Sequence, residues 1–424
     1  MAPADSRTEA LRILSRWLGT SEFPDRMISG TGRDRAFLTE LVYGAIRNRR
    51  ALEWLATQCS DRTPTPSTLP ALMLGIQQIL FMDGVPDYAA VNDTVNALRA
   101  TTRHRGRVSY VNAILRRVTR EREQLLVELA EQPIAVRESH PDDLVERWTA
   151  TYGDARCASL CHWNNTRPGI VLRPRPGPAA FESYCARLNA SGIAFEPHPY
   201  RPNEFLAISH GTRATDLPGF SDGECAIQDP ATVVGVDLLD PQPGERILDA
   251  CASPGGKTAV MADRTGEDGD IIACDVHADR MALLEDTLKR LHLDRVDILK
   301  ADLRKEQLPD VLVSAPFDRI LLDVPCSNTG VLRRRPDARW RFDAKRLGKV
   351  TALQRALLDR TAELLKPGGC LVYSTCSLEP EENQGQVDAW LSDNPAFSLT
   401  TSQTLFPPET RTDGAYAAAL LKKG

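Results

Sequence analysis

The sequence lacks the marks of several protein classes. No apolar run approaches the roughly 18 residues that span a bilayer, and the start of the chain has no apolar signal core. The 10 cysteines include no C-x-x-C pair and no regular framework, which excludes a disulfide scaffold. Cys157, Cys161 and His162 have no second pair of ligands at zinc spacing. We therefore expect a cytoplasmic protein with reduced thiols, no membrane contact and no metal site.

An excess of positive charge is also missing. The formal net charge is −5, so a nucleic-acid site would have to come from local clusters of arginine and lysine. One such cluster closes the first 125 residues. It fits either a solvated helix face balanced by glutamates or an RNA-contact surface, and its members are Arg103, Arg105, Arg107, Arg116, Arg117, Arg120 and Arg122.

Three regions of the chain differ in periodicity. Residues 1–125 repeat apolar residues at helical spacing and predict an all-α bundle of about five helices, with PALMLGIQQILFM as a central, buried member. Residues 126–222 are rich in proline and predict a small α+β linker domain. Residues 223–424 alternate short apolar strands with helices, which predicts an α/β doubly wound, Rossmann-like domain with a mostly parallel sheet.

The stretch DACASPGGKT follows the first of these strands and ends like a phosphate-binding loop. The pattern G-x-x-x-x-G-K-[ST] requires a glycine where this sequence has Cys251, so a P-loop does not fit. Glycines let the backbone approach a ligand, and a helix start offers free N–H groups. The turn therefore predicts a site for a nucleoside-bearing cofactor, bound by Cys251, Ala252, Ser253, Pro254, Gly255, Gly256 and Lys257.

Acidic residues end the next two strands. Asp275 comes about twenty positions after the glycine turn, where a carboxylate can accept hydrogen bonds from ribose hydroxyls. Asp302 ends the third strand and is placed to accept a hydrogen bond from an adenine amino group. Each aspartate alone fits a helix cap. Together with Asp249 they favour an adenosyl cofactor without phosphates.

Two cysteines follow neighbouring strands. Asp323 and Cys326 come directly after the fourth strand, and Cys376 follows the fifth. A single cysteine in such a place is most often a buried structural thiol. Two of them at adjoining strand ends point into one cleft and indicate a chemical pair.

The chain resembles the RNA cytosine-5 methyltransferases, which use S-adenosylmethionine, in ACASPGGKT, CDV, ADL, LLDVPCSNTGVLRRRPDARWR and VYSTCSLEPEEN. Its first third resembles the NusB-like domain of the members that act on small-subunit ribosomal RNA, in DRAFLTELVYGAIRNRRALEWL, AAVNDTVNALR and VNAILRRVTRE. The chain departs from the family at Ser253, where alanine is usual, and at Ala415–Tyr416, where two aromatics are common.

The resemblance implies a role for each site residue. Cys376 would be the nucleophile that adds to carbon 6 of cytosine, and Cys326 would assist release of the methylated product. Asp323, which also belongs to the cofactor residues, would hydrogen-bond the cytosine edge. Lys257 would favour the thiolate form of the neighbouring thiol.

The resemblance also implies the partners and the domains. The cofactor would be S-adenosylmethionine, the partner small-subunit ribosomal RNA before full subunit assembly, and the protein a monomer. The domains would be a NusB-like RNA-binding domain at 1–125, a linker at 126–222 and a methyltransferase domain at 223–424.

A basic run interleaved with aromatics follows Cys326. A solvated loop is one interpretation, but the position beside the cleft favours contact with RNA phosphates by Arg333, Arg334, Arg335, Arg339 and Arg341. Three other functions stay open on the sequence: an NTPase, a non-catalytic RNA-binding factor, and the same chemistry on tRNA or another rRNA site.

Overall fold

The computed structural model describes residues 6–20, 22–28, 32–177, 180–209 and 211–424. The chain forms two compact units, which we call the helical unit (Met1–Thr166 with Leu332–Arg341) and the sheet unit (Arg167–Val331 with Phe342–Gly424). The helical unit continues beyond residue 125, the boundary expected from sequence, because helices follow one another without a break in packing up to Asn165. Among the described residues, no helix combines the length and the apolar character that crossing a bilayer demands.

The helical unit confirms the predicted all-α bundle. Its helices are α1 (Ser6–Gly19), α2 (Pro24–Met27), α3 (Gly32–Arg47), α4 (Arg49–Gln58), α5 (Leu69–Phe81), α6 (Asp87–Thr101), α7 (Arg105–Arg120), α8 (Arg122–Ala130), α9 (Ile134–Arg137), α10 (Asp142–Tyr152) and α11 (Asp154–Asn165). Helix α5 is the buried central member, with every residue from Pro70 to Ile79 inside the unit. Its Gly75 permits close packing on α7, because a Cβ there would lie 2.5 Å from Leu115.

The sheet unit begins with a small antiparallel sheet. In the described residues its strands are β1 (Ile170–Pro174), β2 (Phe195–Pro197), β3 (Leu206–Ile208) and β4 (Cys225–Ile227), in the order β2-β3-β1-β4. Helix α12 (Phe181–Ala190) packs Tyr184 and Leu188 onto it. Strand β4 lies past residue 222, so the small α+β element extends beyond the boundary expected from sequence.

A larger sheet follows, with strands β5 (Arg246–Asp249), β6 (Asp270–Asp275), β7 (Asp297–Lys300), β8 (Phe317–Asp323), β9 (Leu365–Thr375), β10 (Phe397–Leu405) and β11 (Ala415–Lys422). Their order is β10-β11-β9-β8-β5-β6-β7. The five strands from β9 to β7 run parallel, and β10 and β11 are antiparallel additions at one edge. The predicted doubly wound, mostly parallel sheet is confirmed.

Helices cover both faces of the larger sheet. They are α13 (Val234–Leu239), α14 (Gly256–Thr265), α15 (Ala278–Arg290), α16 (Asp310–Val313), α17 (Ala344–Leu364), α18 (Gln384–Asp393) and α19 (Pro407–Thr410). Successive strand residues enter opposite cores: Ile247 packs with α14 and α15, and Leu248 packs with α17. The β5 residues after Arg246 are therefore buried, and the strand end at Asp249 lies inside the protein.

Candidate active site

The site lies at the carboxyl ends of the parallel strands. After β5 the chain adds β6 and β7 on one side, then crosses to place β8 and β9 on the other. The point where the strand order reverses opens a crevice, and ligands of doubly wound sheets bind there. The predicted site residues follow β5, β6, β7, β8 and β9, so the topology brings them to this one edge.

The glycine turn is built for close approach of the backbone. Gly255 has φ +98°, in the left-handed region, and a Cβ there would lie 2.9 Å from Leu284 Cδ1. Helix α14 begins at Gly256 and leaves its first N–H groups free for a ligand. The Ser253 hydroxyl donates to the Arg280 carbonyl oxygen at 2.8 Å, so serine serves the turn where alanine is usual.

Asp249 ends β5 just before this turn; the sequence counted it among the three strand-end acids but assigned it no binding role. It is 1% exposed, and its Oδ2 accepts a 2.7 Å hydrogen bond from the Thr258 hydroxyl. Its Oδ1 is buried without a hydrogen-bond partner among the described residues. Burial raises the pKa of this carboxyl to about 7. A buried carboxylate oxygen without a hydrogen-bond donor would be stabilised by a cofactor that carries positive charge.

Asp275 and Asp302 border the space for the rest of the cofactor. Asp275 accepts hydrogen bonds from the backbone N–H groups of Ser253 and His277, which fix its carboxylate at the end of β6. Asp302 pairs with Arg304 at 2.8 Å, and this hydrogen bond holds its pKa below the usual range. A cavity of about 530 Å³ opens beside them, lined by Val276, Lys300, Ala301, Asp302, Lys305, Gln307, Leu308 and Pro309. These carboxylate acceptors and the cavity fit the hydroxyl and amino donors of an adenosyl group.

Lys257 makes an ion pair rather than a phosphate contact. Its Nζ lies 2.6 Å from Asp323 Oδ2, while Asp323 Oδ1 accepts a 2.9 Å hydrogen bond from Ser374. Burial alone lowers the pKa of Lys257, but Asp323 outweighs it and the pKa is raised; the Cys376 sulfur acts in the same direction. The lysine is therefore held as a cation close to that sulfur.

The two predicted cysteines meet. Cys326 Sγ and Cys376 Sγ are 3.2 Å apart, and neither is in a disulfide. Asn328, with φ +63°, ties them together: its side chain donates to the Cys326 carbonyl oxygen and accepts a 3.4 Å hydrogen bond from Cys376. Sequence reasoning missed Asn328, although an asparagine two residues after a strand-end cysteine suits a tight left-handed turn.

The surroundings of Cys326 favour the protonated form of its thiol. The pKa of Cys326 is raised well above its usual value by its hydrogen bond with Cys376, by burial and by the charges of Cys376 and Glu382. Cys326 is therefore held in its protonated form.

The basic run Leu332–Arg341 belongs to the helical unit. Arg339 is 0% exposed, and its guanidinium donates to the carbonyl oxygens of Arg47, Ser139 and Asn164 and to Asn165 Oδ1. Burial, helped by the charge of Arg47, lowers its pKa to about 9. The prediction that Arg339 contacts RNA is therefore wrong: it closes the carbonyl ends of helices.

Arg333 and Arg341 are also engaged within the helical unit. Arg333 is buried and lies 4.3 Å over the Trp163 ring, and Arg341 pairs with Asp337 and covers the Phe23 ring at 4.1 Å. These contacts correct the RNA role expected for both residues. Arg335 is exposed and Arg334 half-exposed, so the prediction of phosphate contact is kept for these two.

Three family models match successive parts of the chain. Residues 4–120 match the NusB family, and residues 140–207 match a ferredoxin-like domain of the RsmF/B-like methyltransferases. Residues 236–421 match the family described as 16S rRNA methyltransferase RsmB/F.

Curated relatives match nearly the whole chain. A probable ribosomal RNA small subunit methyltransferase B from Synechocystis sp. is 38% identical over 416 aligned positions, and the match covers 92% of this chain and 91% of the relative. A ribosomal RNA small subunit methyltransferase B from Salmonella arizonae is 35% identical over 402 residues, again 92% and 91% of the two chains.

Solved structures agree with the fold. The structure of a methyltransferase homologue from Pyrococcus horikoshii has a TM-score of 0.59 and 27% identity, covering 68% of this chain and 97% of that one. The chain belongs to the 16S rRNA methyltransferase RsmB/F family, a family of S-adenosylmethionine-dependent methyltransferases.

Proposed function

We propose that the protein transfers a methyl group from S-adenosylmethionine to carbon 5 of a cytosine in small-subunit ribosomal RNA. The observation that carries this proposal is the pair of thiols 3.2 Å apart, next to the Lys257–Asp323 ion pair and at the cofactor edge of the sheet. Cofactor binding alone, or RNA binding alone, has no need of two adjoining thiols.

Carbon 5 of cytosine is a poor nucleophile, and addition of a thiolate to the ring makes it more reactive. The Cys376 thiolate adds to carbon 6 and forms an S–C bond, which makes carbon 5 enamine-like. S-adenosylmethionine, when bound, supplies an electrophilic methyl group on its sulfonium, which carbon 5 can attack. Lys257 holds a proton against Asp323, so this pair can share a proton with ring nitrogen 3 as negative charge develops there.

Product release reverses the addition. Carbon 5 then carries both the new methyl group and its original proton. Loss of that proton to a base restores the 5,6 double bond, while the S–C6 bond breaks and Cys376 leaves as a thiolate. Cys326 lies against Cys376 and keeps its proton, so we assign it the part of helper in this second half.

The substrate assignment rests on the relatives and on charge. Both relatives carry names that specify small-subunit ribosomal RNA. Base edges in an RNA helix are poorly reachable, so the target cytosine has to be unpaired or flipped out, which favours rRNA before full subunit assembly. We propose phosphate contacts by the half-exposed Arg334 and by the exposed arginines Arg103, Arg105, Arg107, Arg116, Arg120 and Arg335.

The two thiols also support a proposal about the cellular compartment in which the protein works. Cys326 and Cys376, with their sulfur atoms 3.2 Å apart, would be open to oxidation to a disulfide, so we propose that the protein works in the reducing cytoplasm.

Release of the carbon 5 proton tests the chemistry. Small-subunit rRNA transcribed with tritium at carbon 5 of cytosine is incubated with enzyme and cofactor. We expect one tritium released into water for each methyl group transferred. Methyl transfer without tritium release would place the methyl group on another atom and reject the proposal.

A deletion strain tests the substrate. Bisulfite sequencing of its total RNA should show one methylcytosine lost from small-subunit rRNA and restored by the wild-type gene. A site lost from tRNA, with rRNA intact, would favour the tRNA alternative.

A further inference from the structure

Glu382 is a fully buried carboxylate that the proposed reaction does not yet use. It ends a short turn (Pro380–Glu382) after β9 and is 0% exposed. Burial of an ionised carboxylate is costly unless hydrogen-bond donors or a cation compensate. The groups around Glu382 therefore show how its negative charge is stabilised inside the protein.

Four donors converge on this carboxylate. The Ser327 backbone N–H donates at 2.8 Å and Gln354 Nε2 at 3.0 Å, and the hydroxyls of Ser327 and Ser377 donate as well. Among the described residues no lysine or arginine forms an ion pair with Glu382. Its negative charge is thus held by neutral donors and is not cancelled locally.

The donors come from the turns that carry the two cysteines. Ser327 follows Cys326 directly, and Ser377 follows Cys376 directly. Gln354 of α17 adds a 2.9 Å hydrogen bond to the carbonyl oxygen of Pro325, the residue before Cys326. One carboxylate therefore joins two turns that are 50 residues apart in the chain.

We propose that Glu382 is a positioning residue: it holds the two cysteine turns at reacting distance and places its negative charge on the Cys326 side of the pair. This inference rests on the proposed function, because it gives the thiols their unequal parts in the cytosine reaction.

The charges around the thiols support the assignment. The charge of Glu382 acts on Cys326, whereas Cys376 interacts electrostatically with the Lys257 cation. A negative group on one side and a positive group on the other favour a proton on Cys326. The hydrogen bond with Cys376, burial and the Glu382 charge all raise the pKa of Cys326.

Glu382→Gln tests the inference, with Glu381→Gln as the matched control because Glu381 is the exposed neighbour. Alkylation of each thiol across pH is followed by peptide mass spectrometry without oxygen. Covalent enzyme–RNA adduct is measured during turnover. We expect the alkylation midpoint of Cys326 to fall by about one pH unit in Glu382→Gln. We also expect kcat to fall at least tenfold, KM for RNA to stay within twofold, and the adduct fraction to rise several-fold.

Unchanged Cys326 titration and unchanged adduct fraction in Glu382→Gln would overturn the inference. If that variant does not fold, Ser327→Ala and Ser377→Ala each remove one donor and keep the charge. Both should raise the adduct fraction, and normal adduct levels in both would also overturn it. Cys326→Ala in the same assay separates the two claims. If Cys326→Ala forms an adduct and the Glu382 and serine variants do not, only this inference fails; if Cys326→Ala forms none, the proposed function itself fails.

Discussion

Asp249 shows how a single buried side chain can prepare the cofactor site. Its pKa of about 7 in the folded protein lies above the ordinary aspartate value of 3.8. Between these two values the folded protein binds more protons than the unfolded chain, so stability falls as pH rises through this window. Without cofactor, the ionised Asp249 lowers the stability of the protein, and a positively charged cofactor can neutralise that charge.

Asp249→Asn should remove this pH dependence. We expect the free energy of unfolding of the wild-type protein, relative to the variant, to fall by about 2–3 kcal/mol between pH 5 and pH 8. Urea unfolding of both apo-proteins at several pH values measures the difference. A difference that is constant over this range would contradict the account.

Sequence reasoning works well for residues at strand ends. The cysteines could be paired because parallel strands deliver their carboxyl ends to one edge of the sheet. Asn328 and Glu382 were missed because their roles depend on contacts 48 and 55 residues away, which a local motif does not reveal.

At the scale of elements, the basic segment after Cys326 shows how a charge pattern can mislead. An arginine run looks the same in sequence whether it faces solvent or closes helix ends. The segment Leu332–Arg341 packs into the helical unit, where Trp340 donates to the Ile46 carbonyl oxygen at 2.8 Å and Arg339 is fully buried.

Two variants of this segment should separate structure from RNA binding. Arg339→Ala leaves several buried carbonyl oxygens without a donor, so we expect a loss of about 2–4 kcal/mol in unfolding free energy. Arg335→Ala, at an exposed position, should stay within about 0.5 kcal/mol of wild type and weaken RNA binding. Urea unfolding and filter binding measure both effects. Equal stability of the two variants would contradict the buried role of Arg339.

Strand β10 could not be predicted from an alternation of apolar and polar residues. Its residues are mostly exposed between Phe397 and Leu405, because it is an edge strand, and its polar sequence SLTTSQT gives no clear alternation. Edge strands that meet solvent on most sides lack the apolar period by which buried strands are predicted.

For the whole molecule, the question is how a chain of net charge −5 binds RNA. Arg105, Arg116 and Arg120 are exposed and share one face of α7, since they are separated by three turns and one turn of helix. Arg117 and Arg122 are paired at close range with Glu121 and Asp87, whereas Arg120 lies 3.9 Å from Glu121 and stays exposed.

Charge removal on this face should change the salt dependence of RNA binding. For the triple variant Arg105→Gln, Arg116→Gln, Arg120→Gln we expect the slope of log K against log[salt] to become shallower by about 0.7–0.9 for each lost phosphate contact. Arg213→Gln, a surface arginine paired with Asp216, is the control and should leave the slope unchanged. An unchanged slope in the triple variant would remove α7 from the RNA surface.

The fate of the enzyme–RNA adduct in the two cysteine variants tests the account most directly. Each variant is incubated with cofactor and substrate rRNA, and adduct is scored as a species stable to SDS. We predict that Cys376→Ala neither transfers methyl groups nor forms an adduct, and that Cys326→Ala accumulates the adduct. Normal turnover by Cys326→Ala together with adduct formation by Cys376→Ala would reverse the roles of the two thiols and contradict the account.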